Sequence, residues 1–98
     1  MTNGETLILY GKAMRAAALM QGVEGVHTIR ANVSAGYPLM AYAASVEPFK
    51  PDLAAERYAE AATWFSRALE TGAALWVDLP ARERPGRRAA AVELGWGG

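Results

Sequence analysis

The sequence predicts an α+β fold, a two-layer sandwich in the order helix, hairpin, helix, hairpin (αββαββ), with a four-stranded antiparallel sheet carrying both helices on one face. Three observations lead there. Two stretches of good helix formers, Thr6 to Met20 and Leu53 to Gly72, stand at the head of each half of the chain. Each is followed by runs that alternate apolar and polar residues, VHTIRANV and YPLMAYAA after the first, ALWVDLP and AAAVELGW after the second. Turn residues, Ser34-Ala35-Gly36 and the Pro85-Gly86 pair, separate the members of each pair of runs.

The first helix begins at a recognisable signal. Thr2-Asn3-Gly4-Glu5 has the spacing of a capping box, with the Thr2 side chain accepting from the amide three residues on and Glu5 reaching back. Gly22 stands where a left-handed C-terminal cap belongs, and Gly11 is the weak link inside. The wet side of this helix is narrow: Lys12 and Arg15 share a face, while Leu7, Leu9, Tyr10, Met14 and Met20 occupy nearly all the others. A helix apolar almost all round is covered on two sides, and a thin single domain offers only one.

Val26 to Val33 is rich in β-branched residues, with His27, Ile29, Ala31 and Val33 on one face and Thr28, Arg30 and Asn32 opposite, so it reads as a strand. Tyr37 to Ala44 reads as its return, with Pro38 near its start or at an edge; the competing reading is a short helix with Pro38 at its first position. Glu47-Pro48-Phe49-Lys50-Pro51 is a boundary, because two prolines three apart restrict themselves and the residues before them.

The second helix has the clearest pattern. Ala54, Tyr58, Ala61, Phe65 and Ala68 form one stripe and Glu56, Glu60, Thr63, Arg67 and Glu70 lie opposite, with Gly72 expected to end it. The stretch RYAEAATWFSRALETG is similar to the second helix of a tetratricopeptide repeat over about a sixth of the chain. No matching first helix precedes it, since Pro48 and Pro51 fall where that helix would lie, so the similarity is read as a shared solution for an amphipathic helix. Beyond the second helix, Ala89 to Leu94 has a short helix as its alternative to a strand. Ala18-Leu19-Met20-Gln21-Gly22 and Ala68-Leu69-Glu70-Thr71-Gly72 sit at equivalent places, which suggests two αββ halves, 1–50 and 51–98, within a single domain of 1–98.

Bulk composition narrows the function. Ten Lys plus Arg balance ten Asp plus Glu, so no overall field draws the chain toward nucleic acid or an anionic membrane, and any such attraction is local. With no cysteine, disulfides, thiolate nucleophiles and zinc-thiolate sites are all excluded, and the expectation is a cytoplasmic protein. Lys12 and Arg15 interrupt the apolar N-terminal stretch, which therefore reads neither as a signal peptide nor as a membrane span.

Chemistry has few footholds. His27 is the sole histidine, so any triad must pass through it, with Ser34 or Ser45 as nucleophile and Glu24 or Glu47 as orienter. No strand-turn-helix elbow supports one, and His27 reads as a core or interface residue. Paired histidines and converging carboxylates are missing, so no metal is expected, and Glu56 and Glu60 read as a solvated stripe. Gly95, Gly97 and Gly98 have no helix behind them to cradle a phosphate, so no cofactor is expected.

What remains is surface. ARERPGRR places Arg82, Arg84, Arg87 and Arg88 at the tip of the second hairpin, flanked by Trp76 and Trp96. Arginine and aromatics are the residues enriched at binding hot spots. The sequence therefore predicts a small non-enzymatic protein-protein interaction module, a regulator, an inhibitor or an assembly subunit of a mobile genetic element. It grips a protein partner with those six residues and forms a homodimer through the first helix or an open sheet face. Alanine at Arg84, Arg87 and Arg88 is expected to weaken partner binding without lowering thermal stability. The alternatives are a nucleic-acid-binding domain using the same arginines, and a small enzyme with a site between subunits.

Overall fold

The computed structural model describes residues 1–97. Its first helix, α1 (Asn3–Leu19), starts at the predicted capping box: the Glu5 amide donates to Thr2 Oγ1 at 3.2 Å and the Thr2 amide donates to Glu5 Oε1 at 3.1 Å. The two bonds satisfy donors that a helix start leaves open. The Thr2 hydroxyl also donates to Glu5 Oε1, at 2.9 Å, and this bond, followed by the one from the Thr2 amide, holds the Glu5 carboxyl below its ordinary value of 4.5. A folded-state pKa below the unfolded one adds stability that is complete above 4.5 and lost as pH falls through the folded value. Glu5→Gln is therefore expected to unfold earlier than the parent at neutral pH, and the gap in melting temperature should close in acid below pH 4.5. A gap that persists unchanged at pH 2 to 3 would show that the charge contributes nothing.

Beyond α1 the fold departs from the expectation. α2 (Val26–Val46) and α3 (Pro51–Asp78) are single long helices, followed by a turn of 3-10 helix at Ala81–Glu83 and the short α4 (Arg87–Val92). Among the described residues there is no strand. The αββαββ sandwich, its four-stranded sheet and the two αββ halves are thus replaced by a helical bundle with a C-terminal appendage. An open sheet face does not exist to serve as an interface.

The physical reason lies in two glycines. α2 buries Ile29, Val33, Gly36, Met40 and Ala43, a spacing of four and three that is helical, but Gly36 does not register as apolar. What fills that core position comes from across the interface: a Cβ on Gly36 would lie 2.6 Å from the Phe65 ring of α3. Gly72 likewise does not stop α3. It accepts the Trp96 ring, which a Cβ there would meet at 2.6 Å, and the helix runs six residues further to Asp78. Pro38 is tolerated inside α2 because it and Ser34, whose carbonyl loses its amide partner, both lie on the exposed side.

The proline boundary and the stripe of the second helix appear as predicted. α3 begins at Pro51, and Ala54, Tyr58, Ala61, Phe65 and Ala68 are all buried. Tyr58 donates to Glu47 Oε2 at 2.9 Å, tying the start of α3 to the end of α2; burial, then this bond, raises its phenol above the ordinary value. The three long helices all touch one another, most extensively α2 with α3, in an elongated body of 51 × 23 × 15 Å. Alanine supplies much of the core: Ala13, Ala16 and Ala17 from α1, Ala43 from α2, and Ala54, Ala61, Ala62 and Ala68 from α3. Phe65 packs edge-on to Tyr10, ring centroids 5.3 Å apart, at the centre. No described helix is long and apolar enough to cross a membrane.

Candidate functional site

The arginine stretch is not a hairpin tip. It forms the connection between α3 and α4, and its side chains divide into two pairs. Arg84 is half-buried and turns back on the helix that precedes it: Nε donates to the Leu79 carbonyl at 3.0 Å and Nη2 to the Val77 carbonyl at 2.7 Å. These carbonyls belong to the end of α3, where backbone acceptors have no helical partner and a positive charge is favoured. The guanidinium also sits 5.2 Å from the Trp76 ring centroid, in cation-π range. Arg87 donates to the Ala81 carbonyl and braces the 3-10 turn.

Arg82 and Arg88 are exposed and make no hydrogen bond or ion pair among the described residues. They are the two charges of the cluster left to act on something else. The alanine triple at Arg84, Arg87 and Arg88 therefore also removes bonds to the protein's own backbone, and Arg82 with Arg88 is the pair that separates binding from folding.

Trp76 and Trp96 lie inside, 6% and 3% exposed, with ring centroids 6.3 Å apart. The Trp76 indole donates to the Pro85 carbonyl at 2.9 Å, reaching nine residues along the chain. Gly97 closes over the same ring: its positive φ of 62° suits glycine, and a Cβ there would meet Trp76 at 2.7 Å. Trp96 occupies the Gly72 socket, and its own amide donates to the Ala90 carbonyl at 2.8 Å. The Trp96 indole N–H is buried and finds no acceptor among the described residues. The two rings thus clasp the C-terminal segment to the end of α3 as buried residues.

This clasp presents α4 on a fixed base. Val92 is 76% exposed and Arg88 lies beside it, the two bordering a shallow groove of about 420 Å³ with Ala89 and Glu93. Glu93 pairs with Arg15 of α1 at 3.5 Å. A neighbouring groove of similar size, lined by Arg15, Ala18, Leu19, Ala89, Glu93 and Leu94, joins α4 to the outer side of α1. Sequence reading missed this apolar surface because ALWVDLP and AAAVELGW were paired as strands.

Elsewhere the chemistry is sparse. His27, expected in the core or at an interface, is exposed in the first turn of α2. Among the described residues no three His, Asp or Glu side chains gather in a way that could hold a metal. Gly95 and Gly97 take left-handed conformations around Trp96, while Gly98, grouped with them above, lies outside the described residues. Searches against protein-family models, curated proteins and solved structures match nothing to this chain, so its function is argued from these residues alone.

Proposed function

We propose that the chain is a small non-enzymatic interaction module, a regulator, inhibitor or assembly subunit, that works in the cytoplasm as a homodimer and binds an acidic protein partner through α4 and the connection before it. The observation that carries this reading is Val92, 76% exposed on a braced helix, beside an Arg88 whose charge has no partner among the described residues. An apolar contact flanked by arginine is the composition of a binding hot spot, with the charges steering approach and the apolar group holding it.

The test is a photo-activated cross-linker at position 92, used in the cells the protein comes from, with and without R82A/R88A. The expected result is a discrete protein adduct, weakened roughly tenfold, or about 1.4 kcal/mol, by the two alanines, at an unchanged melting temperature. No adduct, or an adduct indifferent to the charges, would overturn the reading. Recovery of RNA or DNA at this position, with binding to generic duplex that weakens steeply with salt, would move the surface to the nucleic-acid class.

A further inference from the structure

Three glycines lie well inside the long helices, and two of them have a use. Gly36 receives Phe65 and Gly72 receives Trp96. Among the described residues nothing packs within 4 Å of where a Cβ on Gly11 in α1 would stand, so the fold itself gives no reason for a residue that costs about 1 kcal/mol against alanine in a helix interior. Around it α1 turns an apolar face outward. At 100° per residue Leu7, Ile8, Gly11, Met14, Arg15 and Ala18 fall within an arc of about 120°, with a single charge among them. Leu7, Ile8 and Met14 are 46%, 62% and 46% exposed. The missing side chain opens a groove of about 300 Å³ lined by Leu7, Ile8, Gly11, Lys12 and Arg15. Ile8, Gly11, Lys12 and Arg15 stand at i, i+3, i+4 and i+7, the four-cornered hole that a facing helix fills with one side chain.

The geometry points to a second copy of this chain as the occupant, its α1 running antiparallel across the first about a two-fold axis level with Tyr10. The inference rests on the reading above that the module pairs with itself, and deepens it by assigning the face and the direction. Two independent features give the same register. Seating Ile8 of each copy at the centre of the other's hole, between Gly11 and Lys12, sets the axis at that level. The same placement brings Glu5, which flanks the face on the Lys12 side, level with the partner's Arg15. A parallel arrangement would instead set Lys12 beside the partner's Lys12 and Arg15 beside the partner's Arg15. Exposed charges of this kind contribute little to affinity but decide between the two directions. An isologous contact is also what a closed two-fold dimer requires.

The chain has no cysteine, which makes the test direct. Wild-type mass is measured by light scattering across a dilution series, and Gly11→Cys and Ala18→Cys are oxidised separately. Position 11 lies near the axis, whereas the two copies of position 18 are separated by about 25 Å along antiparallel helices, at 1.5 Å per residue. The expected result is a dimeric mass, a covalent dimer from Gly11→Cys and none from Ala18→Cys. Ile8→Glu, at an exposed position, should raise the dimer Kd about 100-fold by burying a charge without a partner, while leaving the helical circular dichroism intact. A strict monomer overturns both this assignment and self-pairing. A dimer in which neither cysteine links and Ile8→Glu has no effect overturns the α1 face but leaves self-pairing standing. Linkage at both positions overturns the antiparallel direction.

Discussion

Phe65→Ala is expected to destabilise the fold by about 3–5 kcal/mol, a large part of the total stability of a domain this size. The ring is fully buried where α1, α2 and α3 meet, edge-on to Tyr10 and pressed into the space that Gly36 leaves. Its loss removes apolar contact and leaves a cavity whose opposite wall is bare backbone. A rearranged side chain from α2 has little chance of filling it, because the nearest position has none. Urea denaturation followed by circular dichroism measures the change. The same experiment on Phe65→Ala combined with Gly36→Ala separates the two contributions: in the parent, alanine at 36 meets the ring, whereas in the double variant its methyl group occupies empty space and restores part of the loss. A Phe65→Ala midpoint within experimental error of the parent would mean that the α2–α3 contact is not the centre of the fold.

Trp76→Ala should cost a similar amount, about 3–5 kcal/mol by the same rule for buried aromatics, but in a different place. Trp76 is the post to which the C-terminal segment is fastened: its indole bonds to the Pro85 carbonyl, Arg84 stacks on one side, and Trp96 and Gly97 close around it. Without it, Trp96 loses its neighbour and residues 79–97 lose their base, while Phe65, three helical turns back along α3, keeps its contacts. Hydrogen exchange is the discriminating measurement. Amides of α4 should lose protection first, ahead of those at the centre of α2 and α3. Uniform loss over all helices would show that the segment and the bundle are one cooperative unit.

The sequence was legible where structure is written locally. Thr2 and Glu5 announce the first helix start by their spacing, the prolines at 48 and 51 announce the break, and the stripe from Ala54 to Ala68 is buried residue for residue. It misled where a residue's role is set by another far along the chain. Gly36 and Gly72 look like turn and stop, and only the rings of Phe65 and Trp96 make them core positions. Pro38 looks like a helix breaker until one sees which side of α2 it faces. With Gly36 discounted, Val26 to Ala44 shows an accidental period of two in place of its true helical one, and the sheet follows from that error.

At the candidate site the gap has the same cause. The concentration of charge at Arg82, Arg84, Arg87 and Arg88 was visible, but nothing in ARERPGRR says that Arg84 turns back to cap α3 while Arg88 has no partner among the described residues. That division depends on where α3 ends, at Asp78, with Leu79 extended ahead of Pro80. The outward face of α1 was readable in advance, because an excess of apolar residues on one helix is a property of its own sequence.

A core built on alanine also sets the direction in which this protein tolerates change. At Ala13, Ala16, Ala54, Ala61 and Ala68, all between 0% and 1% exposed, there is almost nothing to remove. Nearly every substitution at such a position adds volume between helices, and glycine, the only smaller choice, weakens the helix by about 1 kcal/mol. The usual hazard of a core is the void left by truncation; here it is the wedge. Helices in close contact leave few alternative rotamers and little slack, so the accessible neighbourhood of this sequence is broad on its surface and, along the alanine seams, a handful of small residues wide.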